Sequence, residues 1–108
     1  MKRFGWVAKV RPGKLDEYRR LHADVWPGVL KMIRQCHLRN YSIYHKDGRL
    51  FTYVEYTGED FEADMAKMAA DETTQKWWAV CIPCLEPAPG DSTGAGVWAD
   101  MEEVFHLD

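Results

Sequence analysis

The chain has 108 residues, 46% hydrophobic and 29% charged, with a formal net charge of -3. That length suits one small domain spanning 1–108, and the acidic balance leaves no cationic surplus to hold a nucleic-acid backbone. The opening Met1-Lys2-Arg3-Phe4-Gly5-Trp6 lacks the apolar core of a signal peptide, and no apolar run reaches membrane-spanning length. A cytoplasmic protein with no nucleic-acid or membrane partner is expected.

Residues 3 to 11 alternate, with Phe4, Trp6, Ala8 and Val10 on one face and Arg3, Gly5, Val7, Lys9 and Arg11 on the other, the period of a strand. Pro12-Gly13 ends it. From residue 14 to 36 the period becomes helical: Leu15, Tyr18, His22, Val25, Trp26, Val29, Leu30 and Ile33 gather on one side. Pro27 lies inside this pattern. It lacks an N–H and crowds the carbonyl four residues back, so the helix should kink or restart just after Trp26. Tyr18 and His22 stand one turn apart on the inward side, where a phenol and an imidazole could share one ligand.

Leu38 to Lys46 and Leu50 to Thr57 read as two strands joined at Asp47-Gly48, a hairpin signal. In the first, Tyr41 and Ile43 share a face, with Asn40, Ser42 and Tyr44 opposite. In the second, Leu50, Thr52, Val54 and Tyr56 oppose Phe51, Tyr53 and Glu55. Thr57 and Asp60 are candidate caps for a second helix with the apolar stripe Phe61, Met65, Met68 and Ala69. A short third helix, about Thr73 to Ile82, carries Trp77-Trp78. Residues 86 to 97 form a Pro/Gly-rich loop, long enough for a lid or a simple connection. Met101 to Leu107 closes the chain as a strand.

This order predicts an α+β fold of ferredoxin-like βαββαβ type, a four-stranded antiparallel sheet with helices on one face. Helices on one side cannot hide both faces of a sheet that carries Phe4, Trp6, Phe51 and Tyr53. Two copies are therefore expected to pair face to face as a homodimer, a dimeric α/β barrel.

Three cysteines cannot close a disulfide framework. Cys81-Ile82-Pro83-Cys84 has C-x-x-C spacing, yet it follows a helix end instead of opening a helix after a strand. His37, His45 and His106 are scattered singles that complete no zinc set. The cysteines are read as small buried thiols.

Three aromatic clusters remain: Tyr18 with Trp26, Tyr41 with Tyr44, and Trp77 with Trp78. Adjacent tryptophans on a helix point about 100° apart, so one can fill the core while the other faces a cleft. Indole faces and phenolic hydroxyls beside one imidazole suit a carbohydrate, whose C–H face packs on an indole while polar side chains bond its hydroxyls. Arg19, at the edge of the apolar stripe, either contributes or lays its stem along it.

Several separated motifs stand in order at matching spacing: Glu17-Tyr18, Arg20, His22, Val25-Trp26-Pro27, Asn40-Tyr41-Ser42-Ile43-Tyr44, Gln75-Lys76-Trp77-Trp78 and Glu103-Val104-Phe105-His106-Leu107. In these the chain resembles the bacterial L-rhamnose mutarotases over essentially its whole length. The resemblance implies a dimeric barrel without metal or organic cofactor that interconverts the α and β anomers of a 6-deoxyhexose. It further implies that His22 is the proton donor and that Tyr18, Tyr41, Trp77 and Trp78 bind the sugar. The group that takes the C1 hydroxyl proton stays open among Tyr18, Tyr41 and a water, and L-fucose stands beside L-rhamnose as a substrate.

Three other readings fit less of the sequence. The same barrel carries haem-degrading and cofactor-light oxygenases, for which His22, His45 or His106 would be the axial ligand. The same topology serves RNA recognition, but the run from Leu50 to Tyr56 lacks the basic and glycine positions of that motif. A ligand-sensing or purely dimer-forming barrel gives no reason for Tyr18 and His22 to face inward together.

Overall fold

The computed structural model describes residues 1–88 and 96–108. Its sheet is built around β1 (Lys2–Val10). On one side β1 pairs antiparallel with β3 (Arg49–Tyr56), from Lys2 opposite Tyr56 to Lys9 opposite Arg49. β3 in turn pairs with β2 (Leu38–Lys46). On the other side two short strands share the fourth position: β4 (Leu85–Glu86) lies against Lys9 and Val10, and β5 (Ala99–Met101) against Gly5, Trp6 and Val7. The order β2-β3-β1-β4, all antiparallel, agrees with the α+β arrangement read from the sequence.

Two strand expectations are corrected at the end of the chain. β4 takes in Glu86, where a loop from 86 to 97 was expected, and the last strand is Ala99–Met101 in place of Met101 to Leu107. The register explains the second difference: with Gly5 opposite Met101, the tail runs off the start of β1 within a few residues. Alternation in sequence cannot make a strand without a neighbouring backbone to bond. Beyond Met101 the tail is held by a side chain, Arg3 to Glu103 at 2.9 Å. The suggestion that the 86–97 loop forms a lid falls mainly on residues 89–95, outside the described residues.

The helical stretch 14–36 is two helices, α1 (Leu15–Ala23) and α2 (Pro27–Gln35). Pro27 is the first residue of α2, where a missing N–H costs nothing because the first turn has no internal acceptors. α3 (Phe61–Ala70) is capped by Asp60, whose side chain accepts from the Ala63 N–H at 3.1 Å. α4 (Glu72–Cys81) is capped in the same way by Asp71 through Thr74 at 2.9 Å. Thr57 caps nothing: its N–H and hydroxyl both donate to the His37 carbonyl, tying the end of β3 to the start of β2.

All four helices cover one face of the sheet, that of Ala8, Val10, Leu50, Thr52, Val54 and Tyr56, all buried. One core cluster joins Val10 and Leu50 to Tyr18, Val29 and Trp77, and the other joins Leu38, Val54 and Tyr56 to Cys36 and Met68. Each large apolar side chain so buried contributes about 1.5–3 kcal/mol. Phe4 reaches the second cluster by stacking on Phe61 at 4.6 Å. The buried Tyr56 phenol is satisfied, donating to Asp64 and accepting from the Asp60 N–H. Gly58 permits this, since a Cβ there would collide with the Tyr56 hydroxyl.

On the opposite face Val7, Tyr44, Phe51, Tyr53 and Met101 carry no helix among the described residues. The three cysteines are buried and free. Burial pushes the Cys81 thiol up to about 12, and burial followed by the hydrogen bond to Glu17 raises that of Cys84. Neither thiol is a nucleophile in this state.

Candidate active site

Between the helices and the inner face of the sheet lies a cavity of about 740 Å³. α1 supplies Tyr18, Arg19 and His22; α2 supplies Val29, Leu30, Ile33 and Arg34; α4 supplies Trp77. Asn40, Tyr41, Ile43 and His45 of β2 and Leu50 of β3 form the sheet side. The break before Pro27 aims two helices at this space from different directions, and it leaves Val25, in the connecting turn, on the lining.

His22 is held from three sides. Its ring stacks on that of Tyr18 at 4.2 Å, and Trp77 meets it edge-on at 5.2 Å. Nδ1 lies 2.9 Å from the carbonyl oxygen of Tyr18. A carbonyl can only accept, so Nδ1 carries the proton of the neutral ring and Nε2 keeps its lone pair. Burial lowers the pKa of His22, and the bond to the Tyr18 carbonyl partly opposes it. The imidazole is therefore neutral near neutral pH.

The phenols of Tyr18 and Tyr41 are both raised. For Tyr18 burial is the main cause and repulsion from Tyr41, which lines the same cavity, the next. Tyr41 is 40% exposed as a residue, yet its hydroxyl is recessed enough for burial to push it up to about 12. Both stay protonated hydrogen-bond donors across the physiological range.

Four of the five residues singled out from the sequence, Tyr18, His22, Tyr41 and Trp77, line this one cavity. Trp78 does not; it is partly buried against both core clusters. The hundred degrees between neighbouring indoles turns the buried Trp77 to the cavity wall and leaves Trp78 half-buried beside the two clusters. Trp26 packs edge-on against Trp77 at 5.2 Å, supporting the indole without lining the cavity.

Sequence reasoning missed Arg34, Arg39, Asn40 and His45 as lining residues. His45 and Tyr41 reach the inner face because β2 is irregular. Arg39 pairs with Glu55 and Ser42 with Tyr53, so Asn40 and Tyr41 together oppose the single residue Val54. Asn40 sits at φ 49°, a left-handed conformation that asparagine tolerates better than most residues. The only signal in the sequence was the asparagine itself. Among the described residues no three His, Cys, Asp or Glu side chains converge as a metal set, and no helix is long and apolar enough to cross a membrane.

Fold and cavity together define a class: small α+β proteins with a hollow between an antiparallel sheet and the helices on one of its faces. Two solved structures share that fold over the whole of both chains. One is an L-rhamnose mutarotase from Formosa agariphila, with a TM-score of 0.78 at 23% identity. The other is tetracenomycin F2 cyclase from Streptomyces glaucescens, a type-II polyketide cyclase, with a TM-score of 0.69 at 11%. At such identities they speak for the fold alone, and their different chemistries show that the site must decide. A sequence model of L-rhamnose mutarotase matches residues 3–107. The L-rhamnose mutarotase of Oceanobacillus iheyensis is 36% identical over 110 aligned positions, covering all of both chains. The chain belongs to the L-rhamnose mutarotase family.

Proposed function

We propose that this protein interconverts the α and β anomers of L-rhamnose, with His22 moving the proton and Tyr18, Tyr41 and Trp77 binding the sugar. Membership of the family supports the substrate. The observation that carries the chemistry is the anchored imidazole: with Nδ1 tied to the Tyr18 carbonyl, Nε2 is the one ring nitrogen available to a ligand in the cavity.

The hydroxyl on C1 and the ring oxygen are bonded to the same carbon, so one nitrogen can serve both. Neutral Nε2 takes the C1 hydroxyl proton as the C1–O bond of the ring breaks and C1=O forms. The resulting imidazolium then gives its proton to the departing ring oxygen. The open aldehyde turns about C1–C2 and the same steps in reverse close the other anomer. His22 is thus proton donor to the ring oxygen after first acting as base, and no net proton is consumed. The lowered pKa suits this relay, because it keeps the resting ring neutral and makes the transient imidazolium a better acid. Protonated Tyr18 and Tyr41 donate hydrogen bonds to sugar oxygens, and the Trp77 indole takes a C–H face. Trp78, expected from the family pattern as a sugar contact, packs half-buried against both core clusters outside the cavity lining.

The protein is further proposed to work in the cytoplasm as a homodimer of ferredoxin-like domains joined through the helix-free sheet face. Phe51, Tyr53, Tyr44 and Met101 give that face an apolar surface. Beside it Val104, Phe105 and Leu107 project with at least 80% of each exposed, as a segment awaiting a second copy would. Sedimentation equilibrium tests the dimer, and Phe51→Asp should shift the mass to that of one chain.

Saturation-transfer NMR of anomer exchange on L-rhamnose, L-fucose and D-glucose tests the activity. The expected result is acceleration of L-rhamnose exchange well beyond that of the other two. Rates equal to buffer for all three sugars would end the proposal.

A further inference from the structure

We propose that Glu55, on the sheet face away from the cavity, is a positioning residue for the sugar site: it holds the Asn40 bulge that turns Tyr41 inward. The inference rests on the reading of Tyr41 as a sugar-binding group.

A strand presents successive side chains to opposite faces. Glu55 opposes Arg39 and points to the outer face with Tyr53, while Val54 between them points inward. In a regular ladder Asn40 would oppose Val54, and Tyr41 would oppose Tyr53 on the outer face. The extra residue at Asn40–Tyr41 changes this. Ser42 takes the place opposite Tyr53, and Tyr41 joins the inner face, where it lines the cavity and meets Trp6 edge-on at 6.5 Å. One inserted residue thus decides on which side of the sheet the phenol lies.

That insertion requires Asn40 at φ 49°, a conformation unfavourable for any residue with a Cβ. Asn40 Nδ2 donates to Glu55 Oε1 at 2.7 Å, and the Tyr53 hydroxyl donates to Glu55 Oε2 at 2.7 Å. Both oxygens of the carboxylate are engaged, one on the bulge and one on a neighbour two residues along its own strand. These two bonds, that of Tyr53 first, lower the pKa of Glu55, so both are charge-assisted. Glu55 is clamped by β3 and clamps β2. Tyr41 is its beneficiary, although the two residues face opposite sides of the sheet.

The test compares Glu55→Ala, Glu55→Gln, Asn40→Gly and the double variant Glu55→Ala/Asn40→Gly. Two readouts are taken: kcat and KM for L-rhamnose by NMR exchange, and the nuclear Overhauser contact between the Trp6 indole and the Tyr41 ring. Glu55→Ala should raise KM about 10-fold, the size of one charge-assisted hydrogen bond, with a smaller change in kcat and loss of the Trp6–Tyr41 contact. Glu55→Gln keeps an acceptor oxygen and should restore most of both. Glycine adopts the left-handed conformation without help, so adding Glu55→Ala to Asn40→Gly should change KM less than about twofold. A merely structural role would make the two losses additive. A Glu55→Ala protein that keeps the Trp6–Tyr41 contact and the parental KM overturns the inference. Loss of the contact with an unchanged KM overturns the sugar-binding reading of Tyr41 and leaves Glu55 as the clamp of the bulge.

Discussion

The carbonyl oxygen of Tyr18 accepts a hydrogen bond from His22 Nδ1 at 2.9 Å, while the rings of the same two residues stack at 4.2 Å. One turn of α1 thereby sets the tautomer and the tilt of the imidazole, while burial keeps it neutral against the pull of that bond. The bond comes from the backbone, so the Tyr18 side chain can change without releasing it.

His22→Ala should lower the rate of L-rhamnose anomer exchange by roughly 10²- to 10⁴-fold, the range of positioned acid–base help. Tyr18→Phe should act differently. The carbonyl anchor remains, the hydroxyl contact is lost, and KM should rise with a modest change in kcat. NMR exchange at several sugar concentrations separates the two effects, and equal kcat losses in both variants would contradict the division of labour.

The pH dependence of kcat/KM follows from the neutral resting ring. Nε2 must begin unprotonated, so kcat/KM should stay level near neutrality and fall as pH drops through a pKa below the usual 6.5 of histidine. A rate that climbed with acidification over that window would require imidazolium as the resting form.

The same group makes folding stability depend on pH. In the unfolded chain His22 titrates near 6.5, and burial in the fold lowers that value. Between the two values the unfolded state binds more protons. Its contribution to stability is therefore complete above about 6.5 and is lost as pH falls toward the folded value. Urea unfolding at a series of pH values should show this loss, and His22→Phe should remove that part of the slope.

The two indoles should separate in the same experiments. Trp77→Phe trims the cavity wall and should raise KM for L-rhamnose. Trp78→Phe loosens the junction of the two core clusters and should lower the melting temperature with KM nearly unchanged. Reversal of the two phenotypes would return Trp78 to the sugar.

Gly58→Ala should destabilise the fold by roughly 1–3 kcal/mol, as overpacking does, because the new methyl displaces the Tyr56 hydroxyl from Asp64 and Asp60. Thermal melts would register it, and the cavity, formed by other residues, should keep its KM.

Local chemistry in the sequence by itself determined much of this protein. Alternation set the two faces of β1 and β3, Asp60 marks the start of α3, Asp47-Gly48 marks the hairpin, and Pro27 restarts the helix. The spacing of Tyr18 and His22 placed them together because four residues make about one helical turn. Tertiary structure decided what depends on a neighbour. The tail forms no strand out to Leu107 because β1, which begins at Lys2, runs out a few residues past Met101, and Trp78 is half-buried outside the cavity because both clusters meet there. Tyr41 reaches the cavity through a bulge whose support comes from Glu55, fifteen residues further along the chain. Side-chain period is a property of one segment and can be read from it; register and long-range support belong to two segments at once, and only the folded chain brings them together.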